Sequence, residues 1–339
     1  MPWYAPGAEG LLQPLAMFLQ DPEISEIIIN RPKEIWVEKQ GKFSTFSLES
    51  LTALHLHRLC QLIANENGKK LSPECPLLSG NLPDGARVQI VIPPVSASPV
   101  FAIRKKVLKN FSLEDYRQSG FYHMAHQVFI QEYQSAQSKQ FQDQNQNQKK
   151  DQKSYESQKL YQLYQSGDWA LFIHQAIQTK KNIIISGGTS SGKTTYLTAC
   201  LQAIDPSERL LILEDTQEVE TPHLNQVRLL TQPGVSMQSL VQASLRLRPD
   251  RILMGEIRGK EIMDFIGACA TGHEGGMTTI HANSPAVALM RMTQMYKLNA
   301  VPSMTDQDIL REIQMVIDII IQINKTPSGR KVQGIYFKY

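Results

Sequence analysis

The sequence predicts an α/β protein, with a C-terminal parallel β-sheet covered by helices on both faces and a smaller mixed α+β domain before it. Three observations carry this expectation. From residue 160 onward, short apolar runs alternate with stretches whose apolar residues recur at helical spacing, the pattern of strands joined by crossover helices. One such run leads straight into a glycine-rich loop at 187–194 and then into a helical stretch, an order that serves phosphate binding. Upstream, a stretch at 131–158 is rich in Gln, Lys, Ser and Asn, and so few apolar side chains do not offset the entropy of ordering a chain.

The totals agree with two domains. A chain of 339 residues with 42% hydrophobic composition can bury two cores, since single domains run to roughly 100–200 residues. The expected division is a first domain at 1–130, a linker at 131–158 and a second domain at 159–339. The linker reads as a flexible coil, with a polar surface helix as the alternative that Gln and Lys also tolerate. A formal net charge of only +3 excludes a global field that would recruit nucleic acid or anionic lipid. The four cysteines, Cys60, Cys75, Cys200 and Cys269, are scattered, without the spacing of a zinc site or a disulfide scaffold, and read as reduced, packed thiols. No Lys or Arg precedes Arg31, and Pro2, Pro6, Pro14 and Pro22 interrupt the apolar start, so a cytoplasmic location without a secretory signal is expected. The most apolar run, 316–323, contains Asp318 and is far shorter than the roughly 20 residues a membrane-spanning helix needs.

Within the first domain, two apolar segments flanking Arg31-Pro32-Lys33 read as consecutive strands joined by turns. Leu54, Leu59, Leu62 and Ile63 stand at helical spacing, and 88–92 and 100–103 read as later strands between Pro-rich turns. After the linker, one helix is expected over 160–177. Strands follow at 182–186, 209–215, 225–230, 251–256 and 277–282, with helices at 236–246 and 260–270 among them.

Gly187-Gly188-Thr189-Ser190-Ser191-Gly192-Lys193-Thr194, followed by Thr195, fits G-x-x-x-x-G-K-[ST] in the strand-then-helix setting the motif requires. The glycines let backbone N–H groups turn inward around a phosphate, and the helix that follows adds its positive end. Lys193 is expected to bridge the β- and γ-phosphates of ATP, and Thr194 to bind Mg²⁺. Two strand ends add carboxylates, at Glu214-Asp215-Thr216-Gln217-Glu218 and at Gly255-Glu256, on the edge where ligands lie in open α/β sheets. They are candidates for orienting water and for a place near the metal. His273 and His281 stand on either side of a glycine turn and a strand; a histidine can donate to a γ-phosphate, and either one alone also reads as a structural side chain.

Read together, SGGTSSGKTT (186–195), LILEDTQEVE (211–220), LRLRPDRILMGEIRG (245–259) and TGHEGGMTTIHANSP (271–285) resemble the Walker A, Asp box, Walker B and His box of the VirB-type traffic ATPases of bacterial type IV secretion. LPDGARVQIVIPP (82–94) and FAIRKK (101–106) are similar to that family's N-terminal domain, so the resemblance covers most of the chain. It implies a RecA-like ATPase domain that hydrolyses ATP with Mg²⁺. It also implies Glu218 as the residue that prepares water, Glu256 as the Walker B acid at the metal, and His273 and His281 as the His box. Arg104, with Arg87 as a second candidate, matches the basic residues of the N-terminal domain that approach the nucleotide. The implied assembly is a homohexamer, peripheral at the cytoplasmic face of the inner membrane, which serves a secretion apparatus that moves DNA or protein cargo or builds a pilus. The stretch at 131–158 is longer than the join in the simplest members, which leaves open whose N-terminal domain pairs with which ATPase domain.

Three other readings share some of these features. Pilus extension or retraction ATPases and type II secretion ATPases have the same box order, but the spelling TSSGKTT and HEGGMTTIH is closer to type IV secretion, and no tetracysteine insert is present. A nucleic-acid translocase needs a basic groove, for which Arg104-Lys105-Lys106 with Lys109 is the only hint. A nucleotide-gated module without hydrolysis would not need Lys193, Glu218 and Glu256 together.

Overall fold

The computed structural model describes residues 8–39, 41–105, 111–130 and 151–338. The chain divides into two compact units, Met1–Lys109 and Asn110–Tyr339.

The first unit contains the short helices α1 (Ala8–Leu12) and α2 (Ala16–Gln20), then strands β1 (Ile24–Arg31), β2 (Glu34–Lys39) and β3 (Lys42–Ser47). Helix α3 (Ala53–Glu66) and strands β4 (Leu77–Asn81), β5 (Arg87–Val91) and β6 (Val100–Arg104) complete it. The six strands form an antiparallel sheet in the order β3-β2-β1-β6-β5-β4. Alternate residues, Ile27 and Ile29, Ile35 and Val37, Val88 and Ile90, Phe101 and Ile103, enter one core, as the two-residue repeat of a half-buried strand dictates. Helix α3 closes that core with Leu56, Leu59, Cys60 and Ile63, one stripe at i, i+3, i+4 and i+7. Thr52 caps it by accepting the His55 N–H at 3.2 Å.

The second unit begins with α4 (Leu113–Gln118), β7 (His126–Val128), α5 (Asp151–Ser166) and α6 (Trp169–Gln178). The strand-helix alternation follows: β8 (Ile183–Gly187), α7 (Lys193–Gln202), β9 (Leu210–Glu214), β10 (Gln226–Leu230), α8 (Met237–Ser244), β11 (Arg251–Met254), α9 (Glu261–Ala270) and β12 (Met277–Ile280). Helices α10 (Pro285–Lys297) and α11 (Asp306–Val316) precede the hairpin β13 (Ile319–Thr326) and β14 (Gly329–Phe337). The eight strands are ordered β10-β9-β11-β12-β8-β13-β14-β7. Two cores flank the sheet: Ile183 and Ile185 of β8 pack with α6 and α7 on one face, and Ile184 packs with α8 to α11 on the other. Because both faces are covered, the strands read in sequence as unbroken apolar runs.

Several expectations change. The sheet of the second unit is mostly rather than wholly parallel, since β14 runs antiparallel to β13 and β7 parallel to β14. The apolar run at 316–323 largely supplies β13, which pairs with β8 at the centre of the sheet. The second unit begins at Asn110: Leu113, Phe121 and Tyr122 pack into one of its cores beside Tyr196, and β7 extends its sheet. Residues 131–150 of the expected linker, like Lys106 and Lys109, lie outside the described residues, whereas 151–158 belong to α5. The single helix expected over 160–177 is two, broken where Gly167 takes a φ of 75° and Asp168 caps α6. Cys60, Cys200 and Cys269 are buried free thiols, but Cys75 is exposed. Burial pushes the Cys60 and Cys269 thiols up to about 12. Among the described residues, no helix is long and apolar enough to cross a membrane.

Candidate active site

The parallel order of β9, β11, β12 and β8 brings the carboxyl ends of four strands onto one edge, and the residues that follow each strand assemble there. After β8, the phosphate loop folds so tightly that a side chain on Gly187 would collide with Ser191 Oγ and the Ile323 carbonyl. Ser190 and Gly192 adopt left-handed conformations, φ 57° and 93°, and α7 starts at Lys193. Only 7% of Lys193 is exposed. Its ammonium donates to the carbonyls of Gly187 at 3.1 Å and Gly188 at 2.9 Å, and lies 3.4 Å from His281 Nδ1. Thr194 and Thr195 occupy the first turn of α7, half-buried.

His281, just beyond β12, links the loop to the next strand. Its Nε2 is 3.2 Å from Glu256 Oε1, and its carbonyl accepts from Arg291. Burial first, then the Lys193 charge, holds the imidazole pKa below the ordinary histidine range, against the pull of Glu256; the ring is therefore neutral at pH 7. Glu256, just beyond β11, accepts from Arg258 at 2.8 Å, and Arg258 reaches on to Asp215 at 2.5 Å. The bond to Glu256 raises the Arg258 pKa, and the charges of Asp215 and Glu218 add to the effect. One row of polar side chains thus runs from Lys193 through His281, Glu256 and Arg258 to Asp215.

Glu218 belongs to the turn after β9, and the preceding glutamate shapes that turn. Glu214 Oε1 accepts the N–H groups of Glu218 at 2.9 Å and Val219 at 2.8 Å. Burial raises the Glu214 pKa, partly opposed by those two bonds. Gly255 lies against it, with a Cβ there falling 3.2 Å from Glu214 Cγ.

Three further expected site residues, His273, Arg87 and Arg104, have neighbours of their own. His273 stands before β12 and His281 after it, with the four residues of that strand between them. The residues just after His273, Gly275 and Gly276, donate to Asn182 Oδ1 at 2.9 and 3.0 Å, at the start of β8. Arg87 and Arg104 belong to the first unit, where they face each other across β5 and β6, and Arg104 Nε lies 3.9 Å from Glu26. Lys105 donates to the carbonyls of Phe18 and Asp21, so this part of the basic run is engaged internally. The tie formed by Arg258 and the brace formed by Glu214 were not foreseen as such, although both residues stand inside the boxes.

The donor set of the loop suits a phosphate. Ser191 Oγ is buried without a hydrogen-bond partner, and a Cβ on Gly188 would meet nothing within 4 Å, so the loop has an unsatisfied donor and open space beside it. Among the described residues, no group of three or more His, Cys, Asp or Glu side chains could hold a metal ion.

Comparison with known proteins places this arrangement. Residues 148–326 match the family model described as Type II/IV secretion system protein. The type IV secretion system protein VirB11 of Bartonella quintana (strain Toulouse) is 32% identical over 338 residues, 96% of this chain and 91% of that protein. The crystal structure of the VirB11 ATPase from the Brucella suis type IV secretion system, in complex with sulphate, is 30% identical with a TM-score of 0.52, covering 98% of this chain and 97% of that one. The pilus retraction motor PilT with bound ADP shares the fold at a TM-score of 0.58 and 17% identity, over 98% of this chain and 83% of that one. The chain belongs to the type II/IV secretion system protein family, as a homologue of the VirB11-type ATPases of type IV secretion.

Proposed function

We propose that this chain hydrolyses ATP and acts as a hexameric motor of a type IV secretion apparatus, at the cytoplasmic face of the bacterial inner membrane. The observation that carries the reading is the convergence of Lys193, His281 and Glu256 on the phosphate loop, at 3.4 and 3.2 Å from one another in turn. Lys193 exchanges its two loop carbonyls for the β- and γ-phosphate oxygens, and the inward-facing amides, with Thr195 beside them, hold the rest. Thr194 and Glu256 would hold Mg²⁺, which supplies positive charge against the phosphate oxygens. Glu218 takes a proton from water as the water oxygen bonds to the γ-phosphorus and the bond to the β–γ bridging oxygen breaks, leaving ADP and phosphate. Neutral His281 stands ready to report the γ-phosphate to Glu256, to which it is joined.

The names of the relatives support the secretion role, and the sulphate bound to the Brucella suis protein is an oxyanion of phosphate's shape. To Arg87 and Arg104 we assign, on the family resemblance, cationic contacts to nucleotide in the ring, and to ATP turnover a swing of the N-terminal domain as the work output. Lys193→Ala should abolish turnover and magnesium-ATP binding, because it deletes the charge that meets the phosphates. Normal steady-state hydrolysis by that variant would overturn the assignment. Light scattering with magnesium-ATP should give six times the monomer mass, and a monomer under all conditions would remove the ring. Single-stranded DNA should leave turnover unchanged, since a translocase would be strongly stimulated.

A further inference from the structure

We infer that Arg330, which lies outside all four motif boxes, is a positioning residue that orients the Ser190–Ser191 peptide of the phosphate loop for anion binding. The inference rests on the phosphate site proposed above. The residue stands at the start of β14, just after the hairpin turn. Strand β13 pairs with β8 so that Ile323 is opposite Gly187, and Arg330 pairs with Lys325 of β13, which brings the hairpin beside the loop. There Arg330 Nε donates to the Ser190 carbonyl at 3.0 Å. Its Cδ lies 3.0 Å from the place a Cβ on Gly192 would take, so the stem covers the last turn before α7.

Ser190, at φ 57°, holds a left-handed conformation that residues with a Cβ adopt reluctantly, and its neighbours must keep it there. A peptide group is planar and trans, so its C=O and the next N–H point in opposite directions. Tethering the Ser190 carbonyl to Arg330 therefore turns the Ser191 N–H to the other side, among the inward amides on which a phosphate nest depends. A guanidinium suits the task, being always charged and offering Nε in a fixed plane.

Calorimetry with magnesium-ADP, combined with hydrogen exchange of the segment 187–195, tests this in the full chain. Arg330→Ala should weaken binding about tenfold, equivalent to about 1.4 kcal/mol, and should remove much of the protection that nucleotide confers on that segment, while the melting profile stays that of the wild type. Arg330→Lys, which keeps a charged donor, should recover most of both. Should R330A fail to fold, two neutral variants decide: Arg330→Met keeps the stem over Gly192 without a donor, Arg330→Gln keeps a donor, and the glutamine variant must bind more tightly. Equal affinity and equal protection in wild type and R330A, or in the glutamine and methionine variants, would overturn the inference. A wild-type protein that fails to bind magnesium-ADP would instead overturn the phosphate site itself.

Discussion

Glu214 is 2% exposed and uses one oxygen to accept two consecutive backbone N–H groups, so it sets the direction in which Glu218 leaves the sheet. Glu214→Ala would orphan both donors while leaving the phosphate loop intact, so turnover should fall about 10- to 100-fold, the scale of a misplaced catalytic group, with nucleotide affinity within a few-fold of wild type. A parallel loss of affinity in binding assays would mean that Glu214 supports the loop instead. Glu218→Gln should bind ATP normally and turn over roughly 100-fold more slowly; a change of only a few-fold in steady-state rate would move the water-activating role to Glu256. His281 offers a test through pH. Its pKa is lowered in the folded chain by burial and by Lys193, so as pH falls below the ordinary histidine range the unfolded chain takes up a proton that the folded chain resists, and the ring's contribution to stability declines. A bound triphosphate reverses the local charge. The His281 resonances should therefore titrate low in the apo protein and move to higher pH with a magnesium-ATP analogue, and no movement would mean that the ring does not face the phosphate. Lys193, Glu256 and His281 were legible in sequence because a motif fixes each to a strand end. The tie from Arg258 to Asp215 depends on β9 and β11 being neighbours, which spacing does not reveal.

At the level of elements, the end of the sheet away from the phosphate loop is held by an ion cluster. Arg251 opens β11 with no exposure at all. It donates to Glu208 at 2.8 and 2.9 Å and to the Ile177 carbonyl at 2.8 Å, so one guanidinium joins β11, the turn before β9 and the end of α6. Burial pushes the Glu208 pKa up, but the bonds and charges of Arg251 and Lys180 outweigh it, and the net shift is downward. A depressed carboxylate stabilises the fold above its unfolded pKa and loses that contribution as pH falls through the folded value. Removing one partner of a buried pair strands the other's charge, so Glu208→Ala should cost about 3–5 kcal/mol, read as a shift of the urea midpoint at neutral pH, and should flatten the acid limb of the stability profile. A loss below about 1 kcal/mol would show that water reaches Arg251. The elements themselves were largely legible, since β8, β9 and β11 are buried on both faces and appear as apolar runs between turns. Strands β13 and β14 escaped because a short apolar run carrying Asp318 suits strand or helix equally, and only its pairing with β8 decides. The break between α5 and α6 turns on Gly167 and the Asp168 cap, a local signal hidden by apolar spacing that continues through it.

Across the whole molecule, the polar stretch at 131–158 marks a change in composition, while Leu113, Phe121 and Tyr122, which precede it, pack in a core of the second unit. Among the described residues, each unit has its own buried clusters, and no residue of the first unit's core appears in the other two. Cores that share no side chains unfold with separate thermodynamics unless an interface couples them, and substitutions in them should then be additive. Leu59→Ala, on α3 of the first unit, and Ile185→Ala, on β8 of the second, both remove fully buried side chains and should each cost about 2–5 kcal/mol. Scanning calorimetry of the full chain should show two transitions, with each substitution lowering one of them. The shift per kcal/mol should be larger for Leu59→Ala, because a smaller unit has a smaller unfolding entropy and its midpoint moves about 4–8 °C per kcal/mol against about 2–4 °C for a unit twice the size. A single transition lowered equally by either substitution would mean that the chain unfolds as one cooperative block, and any nucleotide-driven swing of the first domain would then have to break contacts strong enough to couple the two cores.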